Sequence, residues 1–283
     1  MPFTNKGWFT EAADEAGSAF SLAIRSKLFE EQTPYQKIEV WETTHWGNLM
    51  AIDGYVMLST RDNFLYHEMM AHVPLFSHAD PKRVLIIGGG DCGTLREVLK
   101  HDGVEKAWQV DIDEGVTRAS EKFFPELCES NDDPRAELHF ADGIRWVKDG
   151  EAGSVDVIIV DSTDPVGPAK GLFTEAFYRD CHRMLRAGGI LVQQSESPLL
   201  HMRILKEMHA AMRGAGYADV ATYQFPQPVY PSGWWSATMA RKDVAFDGFR
   251  DVPDFQARYY TPAIHRAALA MPAFFEREIE KAG

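Results

Sequence analysis

The sequence predicts an α/β fold in which a doubly wound, mostly parallel sheet follows a small antiparallel β domain. An apolar run at 84–87 leads directly into three glycines at 88–90, and an amphipathic helical pattern follows at 94–101. A second strand pattern at 108–112 ends in acidic residues. Strand, glycine turn, helix, strand and acid, in that order, are typical of the opening of a Rossmann-like nucleotide-binding domain.

The first sixty residues carry strand and turn patterns and lack this alternation with helices. Segments 36–41 and 49–57 have strand-forming composition, and Asp53-Gly54 is a turn signal between short strands. The stretch after Thr10 is polar and carries no strand assignment. We therefore divide the chain into an N-terminal β domain over 1–62 and a Rossmann-like catalytic domain over 63–283.

The remaining elements follow from periodicity and from glycine or proline punctuation. A helix is expected over 61–77, ending near Pro74. Further helices are expected at 114–123, 174–185 and 199–214, and further strands at 138–141, 155–160, 190–194, 217–225 and 234–240.

Composition and charge exclude several function classes. The chain has 283 residues and a formal charge of −13, which disfavours binding to the phosphates of nucleic acid. No run of 18 apolar residues and no basic, apolar leader is present, so neither a membrane partner nor secretion is expected. Three scattered cysteines, Cys92, Cys128 and Cys181, favour reduced thiols and a cytoplasmic location.

The glycine turn favours a cationic nucleotide over a dinucleotide. Gly88, Gly90 and Gly93 fit the dinucleotide pattern G-x-G-x-x-G. Asp91, however, stands where a pyrophosphate would sit, and its carboxylate would repel that group. A sulfonium nucleoside or a protonated amine suits Asp91 better. The alternative is that Asp91 only caps the following helix.

Acidic residues also end the neighbouring strands, on the side where such sheets bind ligands. Asp111 has the spacing of a carboxylate that holds ribose hydroxyls, and Asp113 is its alternative. Asp142 is placed to accept a hydrogen bond from an adenine amino group, unless it is only a turn residue. Asp161 and Asp164 follow a strand apolar enough to be central, where the reactive atom of a nucleotide is expected; the alternative is that they are ordinary loop acids.

The motif HEMMAH invites a zinc interpretation that its spacing rejects. His67 and His72 are five residues apart, about 140° around a helix, whereas a metal pair needs one face. Tyr66, His67 and Glu68 remain candidates to line a cleft. Tyr230, in a proline-rich loop, is a candidate pocket wall.

Taken together, these segments resemble the polyamine aminopropyltransferases, and most of all the spermidine synthases among them. The resemblance runs over nearly the whole chain, and the GGGD and D-x-x-D-P-x-G-P motifs are its most specific parts. It is carried by GWFTE at 7–11, YQKIEVWET at 35–43, AIDGYVMLSTRDNFLYHEMMAHVPL at 51–75, VLIIGGGDCGTLREV at 84–98, VIIVDSTDPVGPAKGLFTEAFY at 157–178, VYPSG at 229–233 and RYYTPAIHRAA at 258–268.

The resemblance implies a methyltransferase-type sheet and transfer of an aminopropyl group from decarboxylated S-adenosylmethionine to putrescine, giving spermidine and methylthioadenosine. The expected partners are therefore a small diamine and a sulfonium nucleoside. The nucleoside is a co-substrate, and no cofactor or metal is needed because the leaving group is already a cationic sulfonium. A homodimer or homotetramer is expected, with the N-terminal β domain at its interface.

The resemblance also assigns roles to individual residues. Asp161 is the expected catalytic proton acceptor. The expected nucleoside-binding residues are Gln36, Asp111, Asp142, Gly143 and Pro168. The expected polyamine-binding residues are Trp8, Tyr66, His67, Asp91, Asp161, Asp164, Gln194 and Tyr230.

Two residues depart from the family pattern, and several alternatives stay open. Asp111 stands where glutamate is usual, and Cys92 stands where glycine is usual. The rival functions are an amine methyltransferase that uses S-adenosylmethionine, a dinucleotide oxidoreductase and an inactive binding protein of the same fold. The acceptor is also open among putrescine, cadaverine, agmatine and spermidine.

Overall fold

The computed structural model describes residues 7–164, 167–251 and 255–281, without the side chains of residues 15, 167 and 168. The N-terminal part forms a five-stranded antiparallel sheet whose strands follow one another in chain order. Its strands are β1 (Trp8–Ala13), β2 (Ser18–Gln32), β3 (Lys37–Thr43), β4 (Asn48–Ile52) and β5 (Tyr55–Ser59).

The turn at Asp53-Gly54 separates β4 from β5, so the strand pattern at 49–57 is a hairpin. Both turn residues have positive φ, 51° and 88°, the backbone that two-residue hairpin turns require. The sequence pattern did not predict β1, because one of its inward positions is a glutamate, which breaks the alternation of apolar residues expected for a strand. Phe9 and Glu11 are buried, while the intervening side chains are more exposed. We propose the domain boundary at residue 62, between the end of β5 and the next helix.

The rest of the chain forms a seven-stranded sheet in the order β11-β12-β10-β9-β6-β7-β8. Strands β10, β9, β6, β7 and β8 are parallel, and β12 is antiparallel to both of its neighbours. The α/β class and the doubly wound topology are thereby confirmed. The strands are β6 (Arg83–Gly88), β7 (Lys106–Asp111), β8 (Ala136–Phe140), β9 (Val155–Asp161), β10 (Leu185–Gln194), β11 (Asp219–Pro226) and β12 (Trp234–Arg241).

Helices cover both faces of this sheet. They are α1 (Asn63–Ser77), α2 (Gly93–Leu99), α3 (Glu114–Phe123), α4 (Gly143–Asp149), α5 (Glu175–Met184), α6 (Met202–Gly214), α7 (Pro262–Ala268) and α8 (Ala273–Glu280). Helix α4 was not expected from the sequence. The expected end of α1 near Pro74 is wrong, because the helix continues to Ser77 with Pro74 inside it. The Ser77 hydroxyl bonds to the carbonyl of Val73 (2.8 Å) in that last turn.

The core lies on both sides of the central strands. Val84–Ile87 of β6 and Val157–Val160 of β9 are at most 2% exposed. Helix α1 is buried nearly throughout, since the C-terminal segment covers it. The Glu68 carboxylate holds that segment by accepting backbone N–H bonds from residues 258–260 at 2.7–2.8 Å. Among the described residues, no helix combines the length and apolar character needed to cross a membrane.

Candidate active site

A cavity of about 670 Å³ opens at the carboxyl ends of β6, β7 and β9. The chain leaves β6 toward β7 on one side and later returns to β9 on the other, so this is the point where the strand order reverses. Parallel sheets bind ligands in the crevice at such a point. The N-terminal sheet closes the opposite wall with side chains such as Gln36, Met50 and Tyr55.

The glycine turn allows the ends of β6 and β9 to touch. Gly88 has φ of 81°, and a Cβ placed there would lie 2.2 Å from the carbonyl oxygen of Asp161. The Gly89 N–H donates a hydrogen bond to that same oxygen (2.8 Å). Only glycine fits this conformation and this close approach. The turn thus brings Asp91 and Asp161 to one place in the cavity.

Asp161 ends β9, and hydroxyl groups hold both of its carboxylate oxygens. The Tyr66 hydroxyl donates to Oδ1 (2.7 Å), and the Thr94 hydroxyl donates to Oδ2 (2.6 Å). Burial and the nearby negative charge of Asp91 raise the pKa of Asp161, although both hydroxyls oppose that rise. The carboxylate is therefore oriented and more basic than an exposed aspartate.

Asp91 forms an ion pair and also contributes to the helix terminus. His67 Nε2 lies 3.2 Å from Asp91 Oδ1, and the N–H of Gly93 donates to the same oxygen (2.7 Å). Burial lowers the pKa of His67, but the Asp91 carboxylate outweighs this effect, and the net pKa is raised. His67 acts on Asp91 in turn. Burial raises the pKa of Asp91, but the charge and hydrogen bond of His67 lower it, and the net pKa is lowered. Asp91 thus accepts an N–H from the first residue of α2, and its contact with a sulfonium or ammonium group stays a prediction.

Of the two acids after β7, Asp111 faces the cavity. Its Oδ2 accepts the N–H of Gly90 (3.0 Å), and its Oδ1 accepts the N–H of Asp113 (2.8 Å). Burial raises the pKa of Asp111 to about 6. Asp113 instead caps α3 through the N–H of Gly115 and accepts the Thr33 hydroxyl (2.7 Å). Asp113 is thus a structural residue, and Asp111 stays the predicted ribose contact.

Asp142 and Gly143 also line the cavity, next to Gln36 and Asp111. Asp142 caps α4 by accepting the N–H of Ile144 (2.9 Å) through Oδ1. This helix cap accounts for the pair Asp142-Gly143 at the start of α4. The bond to Ile144 uses Oδ1 of Asp142 and does not involve Oδ2. Both interpretations of Asp142 are therefore compatible with the geometry.

A second, smaller cavity of about 40 Å³ adjoins the first and is lined by acids and aromatic rings. Glu11, Asp164, Gln194 and Tyr230 lie on its wall. Gln194 is fixed by the indole N–H of Trp235, which donates to its Oε1 (3.2 Å).

The carboxyls around this smaller cavity hold protons unusually well. Burial and the neighbouring Glu196 carboxylate raise the pKa of Asp164 to about 8. Burial also raises the pKa of Glu11 to about 7, and that of Glu196 to about 7. Burial therefore favours the neutral forms of these carboxyls, and a bound cation would favour the charged forms.

The sequence did not single out Glu11 or Glu196. Glu11 lies on the edge strand β1, and its backbone partner is the N–H of Val56 (2.7 Å). Glu196 follows β10 in a polar run, which was the only available signal. The two residues share a neighbourhood only because the N-terminal sheet folds over the end of the larger sheet.

The structure does not bring every expected residue to these cavities. Trp8 is 47% exposed on β1, where it alternates with the inward-facing Phe9, and it lines neither cavity among the described residues. The side chain of Pro168 lies outside the described part of the chain. Tyr66, His67 and Tyr230 line the large cavity as expected.

The chemistry of the large cavity is that of a cation-binding site. Among the described lining residues there is no lysine or arginine, whereas Asp91, Asp111, Asp142, Asp161 and Asp164 all contribute carboxyls. Such a wall disfavours phosphate and favours ammonium or sulfonium groups. No cluster of three metal-ligating side chains occurs among the described residues.

Comparison with known proteins gives the same family over the whole chain. Residues 63–248 match the family model of the spermine/spermidine synthase domain, and residues 7–60 match that of the spermidine synthase tetramerisation domain. A polyamine aminopropyltransferase of Methylococcus capsulatus is 63% identical over 272 residues, which is 95% of each chain. One of Nitrosococcus oceani is 60% identical over 282 residues, covering 99% of both.

Solved structures agree. A spermidine synthase in complex with the transition-state analogue AdoDATO superposes with a TM-score of 0.91 at 36% identity, covering 98% of this chain and 96% of the other. The spermidine synthase of Thermotoga maritima gives a TM-score of 0.88 at 36% identity, with coverage of 97% and 94%.

Proposed function

The chain belongs to the spermine/spermidine synthase family and is an aminopropyltransferase of polyamine biosynthesis, and we propose that it transfers the aminopropyl group of decarboxylated S-adenosylmethionine to putrescine. The observation that carries this proposal is Asp161, a half-buried carboxylate that two hydroxyls orient in the wall of the large cavity, which adjoins the smaller acidic one. Spermidine and methylthioadenosine are then the products.

The reaction needs one proton acceptor and close alignment. An alkylammonium has a pKa near ~10, so the attacking nitrogen must first lose a proton. Asp161 both attracts the ammonium and accepts that proton. The freed amine attacks the carbon bonded to sulfur; the C–N bond forms as the C–S bond breaks, and the bonding pair returns to sulfur. Holding the two reactants together supplies much of the remaining rate enhancement.

The nucleoside half of the donor fits the wall formed by Asp111, Asp142 and Gln36. Asp111 offers carboxylate oxygens to ribose hydroxyls, and Asp142 offers its remaining oxygen to an adenine amino group. Asp91 and His67 stand near the amine-bearing part of the site, where the donor carries an ammonium. A donor with an α-carboxylate, as in ordinary S-adenosylmethionine, would meet Asp91 with like charge, which disfavours the methyltransferase alternative.

The smaller cavity supports a short diamine as acceptor. Two carboxyls on its wall, Asp164 and Glu11, and the neighbouring Glu196 offer negative charge to the distal ammonium once they lose their protons. Trp235 lines this cavity, whose volume is only about 40 Å³. A single ammonium fits that space more readily than the extra aminopropyl arm of spermidine. Putrescine is therefore the proposed acceptor.

Further parts of the proposal concern assembly and cofactors. The match of residues 7–60 to a tetramerisation domain supports a homotetramer, with a homodimer as the alternative. Size-exclusion chromatography with light scattering distinguishes the two, and a monomer would contradict both.

The proposed reaction needs no cofactor or metal, because the sulfonium leaves without further activation. A cytoplasmic location is also part of the proposal.

The test is release of methylthioadenosine from decarboxylated S-adenosylmethionine in the presence of putrescine, cadaverine, agmatine or spermidine in turn. Product with putrescine at the highest kcat/KM is expected. A higher kcat/KM with spermidine would overturn the assigned acceptor but keep the transfer reaction. No product with any amine, together with calorimetric binding of S-adenosylmethionine tighter than that of the decarboxylated donor, would favour the methyltransferase alternative.

A further inference from the structure

Thr94 contacts the proposed proton acceptor without lining the cavity. Its side chain is fully buried in the first turn of α2, and its hydroxyl donates to Asp161 Oδ2 at 2.6 Å. Tyr66 holds the other oxygen but also lines the large cavity, where it is able to touch a ligand. Thr94 is not among the described lining residues. Any effect of its hydroxyl on the reaction must therefore pass through Asp161.

The surroundings of Asp161 act on its charge in both directions, and Tyr66 and His67 favour the ionised form as Thr94 does. Burial and the carboxylate of Asp91 both favour the protonated form, and Asp111 adds a further like charge. A protonated Asp161 has no capacity to accept the amine's proton. The titratable and charged groups that face it from the packed elements are Tyr66 and His67 of α1, Asp91 of the glycine turn, Asp111 of β7 and Tyr230 of the loop before β12.

We propose that Thr94 is a positioning residue for the transfer reaction: its hydroxyl fixes the orientation of the Asp161 carboxylate and keeps it charged and able to accept a proton. A hydroxyl that donates to a carboxylate stabilises the ionised form selectively. Two donors, one on each oxygen, also leave the carboxylate little freedom to rotate. The inference rests on the proposed role of Asp161 as proton acceptor.

The test is the dependence of kcat/KM for the diamine on pH, in the wild-type enzyme and in Thr94→Val. Valine has nearly the same shape as threonine and replaces the hydroxyl with a methyl group, which cannot donate a hydrogen bond. Because a hydrogen bond to a charged group changes an equilibrium by about tenfold or more, we expect up to about a tenfold loss at the acidic end of the pH profile. The loss should shrink as the pH rises, because Asp161 then ionises even without Thr94. The ionisation of the diamine is common to both enzymes and cancels in the ratio.

Thr94→Ser and Thr117→Val are the matched controls. Serine keeps the hydroxyl. The kcat/KM of Thr94→Ser at acidic pH should therefore stay close to that of the wild-type enzyme. Thr117 is equally buried, but its hydroxyl donates to the carbonyl of Gly90 (2.8 Å) and not to Asp161. Thr117→Val should lose a similar amount of thermal stability without changing the dependence of kcat/KM on pH.

Three outcomes would overturn the inference. A loss in Thr94→Val that is the same factor at every pH would mean a merely structural role. An equal loss of kcat/KM in Thr94→Ser would have the same meaning. An equal shift of the acidic side of the pH profile in Thr117→Val would also have that meaning. If the wild-type enzyme itself releases no methylthioadenosine, the proposed function fails first, and that result is separate from these three.

Discussion

Replacing Asp164 with asparagine should stabilise the empty enzyme at alkaline pH while weakening its hold on the diamine. The pKa of this carboxyl rises from 3.8 to about 8 in the folded chain, through burial and the neighbouring Glu196. Between these two pH values the unfolded chain has already lost a proton that the folded chain retains. The free energy of unfolding therefore falls as the pH rises through this window, and it levels off above pH 8.

The size of the effect follows from the two pKa values. The full rise in the pKa of Asp164 lowers the unfolding free energy above pH 8 by up to about 6 kcal/mol. At pH 5 the same relation gives only about 2 kcal/mol. Asparagine keeps the shape, carries no charge and is able to donate to Glu196. Suppose that Asp164→Asn restores a third of the unfolding free energy lost above pH 8, which is about 2 kcal/mol. The Tm should then rise by about 4 °C in a chain of this size.

The assay is thermal unfolding of the wild-type enzyme and Asp164→Asn at pH 5 and pH 8.5, at equal protein concentration and without substrate. The gain in Tm should be clearly larger at pH 8.5, and KM for putrescine should rise. Asp142→Asn is the control, since asparagine caps a helix as well as aspartate does and this variant should show no pH-dependent gain. A gain that is absent at pH 8.5, or equal at both pH values, would refute the reasoning.

Two further substitutions test the large cavity. Asp161→Asn should lower kcat by about 100-fold or more through loss of the proton acceptor, while calorimetric affinity for methylthioadenosine stays within a few-fold; near-normal turnover would show that the proton goes elsewhere. Gly93→Ala should lower kcat/KM for the diamine, because a Cβ there would lie 2.3 Å from the His67 ring and push it away from Asp91. Gly103→Ala, whose Cβ has no neighbour closer than 4.0 Å, is its control, and equal losses in the two variants would contradict the role of His67.

The sequence predicted those parts of the fold and site that depend on local patterns. The apolar runs of β6 and β9 must be buried, and the glycines at 88–90 must form a tight turn, whatever the rest of the chain does. Acids that follow parallel strands necessarily meet at one edge of the sheet. Asp91, Asp111 and Asp161 could therefore be assigned to one cavity from their positions after strands alone.

The remaining features depend on contacts between distant segments. Glu11 and Glu196 are 185 positions apart, and no spacing rule connects an edge strand of one sheet to the end of a strand in another. Thr94 looks like an ordinary helix residue until β9 places Asp161 beside it. Pro74 was a misleading signal, because the packing of α1 against the sheet and the C-terminal segment outweighs the loss of one backbone bond.

The acidity of the site explains how the proposed reaction orders binding and release. Several carboxyls lie in or beside one cavity, and burial raises the pKa values of Asp161, Asp164 and Glu196, which disfavours charge on all of them at once. A donor with a sulfonium and an ammonium, and an acceptor with two ammonium groups, supply the positive charge that these carboxyls lack. Each binding event should therefore release protons and strengthen the site for the other substrate. Transfer turns the sulfonium into a neutral thioether, so the nucleoside product loses the attraction that held its precursor, and its release follows from the chemistry itself.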